Sequence, residues 1–156
     1  MMKAVVQESL FSVSEIKVSY QPGFKVSDRP KVTSSNPAYQ IFNAHWDHDV
    51  IEMTEQFYVL MLNNAGHVLG IQQISSGSSN GTLVDPKLVF AVALKTFCAS
   101  LILAHNHPSQ LLVPSEQDLM LTKKLVEAGK LLDVQVLDHL IVGKYGYYSF
   151  KDEGIM

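Results

Sequence analysis

Residues 105–118 of this chain, His105-Asn106-His107-Pro108-Ser109-Gln110-Leu111-Leu112-Val113-Pro114-Ser115-Glu116-Gln117-Asp118, gather two imidazoles, a hydroxyl and a carboxylate at short, regular spacing. They follow the apolar run Leu101-Ile102-Leu103-Ala104, which reads as a buried strand. Side chains alternate along a strand, so His105 and His107 at its end point to the same side and can meet one ion. After the loop at 108–114, Ser115 is placed to open a helix and Asp118 falls in its first turn, from which a carboxylate can swing back toward the histidine pair. Two neutral nitrogens and one carboxylate oxygen suit Zn²⁺, and three protein ligands leave a fourth tetrahedral position open. A metal held in that way polarises a carbonyl and lowers the pKa of water, so the remaining requirement is a nearby general base.

The same residues also admit a purely structural reading. Ser115-Glu116-Gln117-Asp118 resembles a capping box, although Glu or Gln is the more usual third partner, and buried histidines at a strand end need not bind anything. Against that, the four residue types at this spacing arise by chance with a probability of roughly 10⁻³ in a chain of this composition.

Further elements must position such a site. Ile16, Val18 and Tyr20 alternate, which predicts a short strand over 13–20, and the Pro- and Ser-rich residues that follow read as the rest of an arm covering 1–33, with the main domain spanning 34–156. Ser35-Asn36-Pro37 reads as a helix start with Pro37 at the first helical position and Ser35 or Asn36 capping ahead of it. Strands are expected at 57–62 and 68–74 as a hairpin through Asn63-Asn64-Ala65-Gly66, followed by a polar Gly/Ser loop at 75–81 able to line a site. Asp85-Pro86 starts a second helix, Ser115 to Ala128 forms a third with Gly129 as its stop, and Val134, Val136, Leu140 and Val142 suggest a strand that precedes a last short one through Tyr148 and Phe150. This order predicts a mixed α/β (α+β) fold with a central sheet flanked by helices.

The balance of 12 Lys+Arg against 15 Asp+Glu, a net charge of −3 and a pI near 6.0 argue against a protein that works chiefly by neutralising nucleic-acid phosphates. With 47% hydrophobic residues the chain can bury a core, which excludes disorder. The first eight residues lack the apolar stretch of a secretory signal, and the longest apolar run, Leu88 to Leu94, is too short to span a bilayer. Cys98 stands alone among apolar neighbours, so it reads as a core residue in a reducing, cytoplasmic setting.

His-x-His, seven residues, Ser, two residues, Asp resembles the JAMM (MPN+) motif of the JAB1/MPN/Mov34 metalloenzymes at every defining position. The chain is more closely similar to the bacterial RadC family. That resemblance runs from about Ser34 onward and is carried by Glu55-Gln56-Phe57, Leu62-Asn63, Gly70, Val84-Asp85-Pro86, Ala104 to Ser109, Pro114-Ser115, Asp118, Leu121-Thr122, Leu125, Leu137-Asp138-His139-Leu140-Ile141 and Tyr148-Ser149-Phe150. It implies an MPN/JAB-like, cytidine-deaminase-like fold and a short, MPN-only member without the helix-hairpin-helix region of longer relatives. It also implies His105, His107 and Asp118 as zinc ligands, Glu55 as the general base that takes a proton from water and delivers it to the leaving amine, and Ser115 as the donor to a developing oxyanion. Glu52, one helical turn earlier, is the alternative base. Where the family commonly has Gly after His-Pro-Ser, this chain has Gln110.

Asp138-His139 fits either a pair behind the ligands or a satisfied structural histidine, the latter favoured by its apolar strand. His45 and His48 read as a surface helix end. The function expected is a zinc-dependent hydrolase of peptide or isopeptide bonds acting on a protein or peptide substrate. The alternatives are a DNA-repair or mobile-element protein acting on nucleic acid, which the charge does not support, and a non-catalytic MPN interaction module.

Overall fold

The computed structural model describes residues 12–79 and 81–156; the first eleven residues of the expected arm and Asn80 of the Gly/Ser loop lie outside the described residues. Among the described residues, five strands and three α-helices follow a 3₁₀ turn at Val26–Asp28: α1 (Ser35–His45), β1 (Gln56–Leu62), β2 (Val68–Ser76), α2 (Pro86–Thr96), β3 (Ser100–His105), α3 (Glu116–Leu131), β4 (Gln135–Val142) and β5 (Tyr147–Ser149). They build one mixed sheet in the order β2-β1-β3-β4-β5, in which β3 and β4 are parallel, joined through α3, and every other pair is antiparallel.

Alternation along β1 and β3 divides the core in two. Phe57, Val59, Met61, Leu101 and Leu103 face α2 and α3, while Leu60, Leu62, Ile102 and Ala104 pack with Ala38, Phe42 and Trp46 of the α1 side. Fully burying aromatic and branched side chains of this kind contributes about 1.5–3 kcal/mol each. Helix α3 buries Asp118, Thr122, Leu125 and Gly129, a spacing of four, three and four that keeps one face on the sheet. Cys98 is buried, and burial pushes its thiol up. No helix among the described residues is long and apolar enough to cross a membrane.

Three local expectations are corrected. The strand over 13–20 does not form: residues 12–20 carry no regular secondary structure and are exposed, although the Tyr20 hydroxyl bonds the Leu69 carbonyl. A lone alternating segment with no partner to complete its ladder gains too little to order as a strand. Pro37 lies at the third position of α1, behind Ser34 as N-cap, rather than at its first. Gly129 does not stop α3, which runs on to Leu131; a Cβ there would meet the Val134 carbonyl oxygen at 2.3 Å, so the glycine permits the helix to approach the start of β4. The strand expected around Val134 to Val142 forms as β4; along it Val134 and Val136 face the α2/α3 core while Leu140 and Val142 face the α1 core, because a bulge between the Val136 and Asp138 pairings shifts the alternation.

Candidate metal centre

The C-terminal end of β3 meets the start of β1 and the N-terminus of α3. Antiparallel pairing sets Phe57 opposite His105, so Glu55, two residues before Phe57, comes level with His107. One ligand-capable atom from each of Glu55, His105, His107 and Asp118 lies within 4.8 Å of the other three. Three of them are tighter: His105 Nε2 is 2.9 Å from His107 Nε2 and 3.2 Å from Asp118 Oδ1, and His107 Nε2 is 3.1 Å from Asp118 Oδ2. The four residues and Ser115 line a cavity of about 300 Å³ whose walls also include Ser79, Gly81, Thr82, Val84 and Leu121.

The local sequence holds each group in place. Ser115 and Asp118 do form a capping box, with Ser115 Oγ accepting from the Asp118 amide at 3.1 Å and Asp118 Oδ2 accepting from the Ser115 amide at 2.8 Å. The structural and chemical readings of this motif are therefore compatible: the box orients the carboxylate, and its Oδ1 still faces His105. The His107 ring is oriented by Nδ1–H, which donates to the Leu111 carbonyl at 2.8 Å, leaving Nε2 toward the cavity. Two lone-pair nitrogens 2.9 Å apart, both facing a carboxylate, repel unless protons or a cation lie between them. Their separations approach the roughly 3.3 Å edge of a tetrahedron with 2.0–2.1 Å metal bonds, so the donor set and its spacing fit a metal ion.

The electrostatics follow from this crowding. The hydrogen bond to Asp118 raises the His107 pKa against the opposing effect of burial. Burial pushes the Asp118 carboxyl up, but the His105 and His107 rings outweigh it and hold that carboxyl far below the usual range. Glu55 is raised, chiefly by burial and further by Asp118, with His105 and His107 opposing.

Two features lie behind these groups: one escaped the sequence reading, and the other was weighed there but not preferred. Asn106, fully buried, points to the opposite side of β3 from the histidines; its Nδ2 donates to the carbonyls of Ile51 at 2.7 Å and Thr54 at 2.9 Å, and its Oδ1 accepts from the Gln56 amide at 2.7 Å. It thus pins the segment that carries Glu55. The alternation that brings the histidines together is itself the signal for this role. The second feature is His139, favoured as a structural residue by its sequence setting but found against the site: its Nε2 is 2.7 Å from His105 Nδ1 and its Nδ1 is 2.6 Å from Thr122 Oγ1. Asp138 does not join it there, accepting instead from Ser149 Oγ and the Lys151 and His139 amides. Glu52 is exposed and outside the cluster, and His45 and His48 bond only to the backbone carbonyls of Ile41 and Asn43.

A mixed sheet with an His-x-His strand end facing a Ser-capped helix and an acidic residue across the cavity defines a JAB-type domain, and the comparisons agree. The family profile described as RadC-like JAB domain matches residues 32–155, and the chain belongs to that family. It is similar to a UPF0758 protein of Flavobacterium johnsoniae, 46% identical over 128 residues that cover 80% of this chain and 53% of the relative. A UPF0758 protein of Alkaliphilus metalliredigens is 48% identical over 102 residues, 65% of this chain and 44% of the relative. One from Methanosarcina mazei is 40% identical over 129 residues, 83% of this chain and 56% of the relative. The chain thus spans about half the length of these relatives.

Proposed function

We propose that this chain is a zinc-dependent hydrolase of peptide or isopeptide bonds. The observation that carries the reading is the convergence of His105 Nε2, His107 Nε2 and the Asp118 carboxylate to within 3.2 Å of one another at the wall of an open cavity. These three groups would hold the ion, and zinc supplies Lewis acidity toward a carbonyl oxygen and acidifies water at neutral pH.

The chain's own residues account for the rest of the chemistry. Glu55, with a pKa raised chiefly by burial, takes a proton from water as the water oxygen adds to the carbonyl carbon, and returns it to the amine nitrogen as the C–N bond breaks. The Ser115 hydroxyl accepts the Asp118 amide through a lone pair, so its own proton is free to stabilise the carbonyl oxygen as charge develops there. Ser79, Gly81 and Thr82 form the wall that a polypeptide substrate would lie against.

Elemental analysis of the purified protein tests the first step. Wild type is expected to carry about one zinc per chain and His107→Ala none, since two remaining ligands do not make a closed set. Zinc absent from both, after growth with ample zinc, would remove the basis of the reading.

A further inference from the structure

The His105 ring is held by a different means from the His107 ring. Its Nδ1 faces His139 Nε2, and the far nitrogen of His139 faces the Thr122 hydroxyl. Thr122 Oγ1 in turn is 2.6 Å from the backbone carbonyl oxygen of Asp118, one helical turn back. The partners dictate where the protons go. A carbonyl oxygen only accepts, so the one Thr122 proton points to Asp118. Thr122 Oγ1 must then accept from His139 Nδ1–H, which leaves the His139 Nε2 lone pair to accept from His105 Nδ1–H. His105 Nε2 is thereby left as a lone pair aimed at Asp118 Oδ1 and the cavity. The bonds form a chain, His105 to His139 to Thr122 to the backbone carbonyl of Asp118, which ties together two groups from different elements of the centre; the gap between His105 Nε2 and Asp118 Oδ1, both acceptors, is where a cation would sit.

We propose that His139 and Thr122 are positioning residues that lock the His105 tautomer and couple it to the frame of Asp118, and so set the metal affinity of the site. The proposal rests on the metal reading above. Burial supports it: His139 is completely buried, with the Phe150 ring stacked at 4.6 Å and the Phe57 ring at 5.5 Å, so no water can substitute for either hydrogen bond. An aromatic slot of this kind would accept a phenyl ring for packing alone; the imidazole adds two directed hydrogen bonds. A ligand histidine whose other nitrogen donates to a fixed acceptor keeps its orientation and basicity, and loss of such an acceptor weakens metal binding roughly 10–100-fold.

Zinc affinity measured by competition with a chromophoric chelator, with the Co²⁺ absorption spectrum as a report on ligand geometry, tests the proposal in wild type, His139→Phe, His139→Gln and Thr122→Val. His139→Phe fills the slot but offers no acceptor, and is expected to weaken zinc binding roughly 10–100-fold and to alter the Co²⁺ bands. His139→Gln restores an acceptor and is expected to recover part of that loss; Thr122→Val frees the His139 proton and weakens binding by less. Folded His139→Phe with wild-type affinity and spectrum would overturn the relay. Long-range ¹H–¹⁵N spectra of wild type need no variant to fold: His139 is expected as the neutral Nδ1–H tautomer at neutral pH, and an Nε2–H tautomer overturns the proposal. Wild type that binds no zinc while showing the expected tautomer overturns the metal reading and leaves the proton order standing.

Discussion

The two sides of the end of β3 are fastened by opposite means. On the side toward α3, His105 and His107 are held through their rings, His105 by a side-chain chain through His139 and Thr122 and His107 by the Leu111 carbonyl. On the other side, Asn106 touches no side chain among these bonds and instead takes up three backbone groups of residues 51–56, the segment leading to and past Glu55. One three-residue stretch thus serves two tasks because alternation sends neighbours to opposite faces. On the proposed reading, metal affinity and the alignment of Glu55 as base would depend on separate networks, so single substitutions should separate them.

The sharpest separation is expected at Glu55. Glu55→Gln keeps the shape and the backbone pairing of Glu55 with Ser78 and Gly77 but removes the proton acceptor. Turnover of whichever peptide or isopeptide substrate wild type cleaves should fall about 10²–10⁴-fold, with zinc content unchanged, because general-base catalysis is worth that much. Loss of the zinc along with the activity would show that Glu55 belongs to the ligand set and that the two networks are one.

Asn106→Ala acts on the other fastening. It leaves two carbonyls and one amide without their partner in a fully buried place, at about 1–3 kcal/mol for each group that finds no water. A stability loss of about 2–4 kcal/mol in urea unfolding is expected, and in the folded fraction turnover should drop while zinc affinity stays within about threefold of wild type. Zinc affinity falling in step with turnover would contradict the division drawn here.

Legibility in the sequence followed the same divide. The ligand-capable residues could be read because period-two alternation and a helix N-terminus are local signals, and the capping box of Ser115 and Asp118 is written in four consecutive residues. The hairpin and α2 with its Asp85 cap were likewise visible from turn and cap chemistry, while the parallel pairing of β3 with β4 was not read. His139 was weighed as a residue behind the ligands but not preferred, for a definite reason. Strict alternation from Val134 and Val136 puts residue 139 on the far face, and only the bulge at Leu137, set by pairing with β3, turns it toward His105. A bulge is a property of two strands, so no reading of one segment reveals it. The isolated alternation at 13–20 failed for the complementary reason, having a strand's pattern without a strand's partner.

The mildest effect is expected at Gln110, which lies in the loop that orients His107. Its φ of 62° is in the left-handed region, where a residue with a side chain costs about 1–2 kcal/mol and glycine costs nothing. Gln110 compensates by using both ends of its amide: Oε1 accepts from the Lys144 amide at 2.8 Å and Nε2 donates to the His107 carbonyl at 3.2 Å. Each such bond contributes about 0.5–1.5 kcal/mol net. Gln110→Gly therefore removes a strain and two bonds of similar size, and Tm should stay within about 4 °C of wild type. Gln110→Val keeps the strain, adds a branched Cβ to a backbone that disfavours it and loses both bonds, so it should melt clearly lower than either. Because His107 keeps its own bond to Leu111 in all three proteins, zinc affinity should follow none of these changes; a glycine variant that loses zinc would place the loop, rather than the Leu111 carbonyl alone, among the groups that hold the His107 ring.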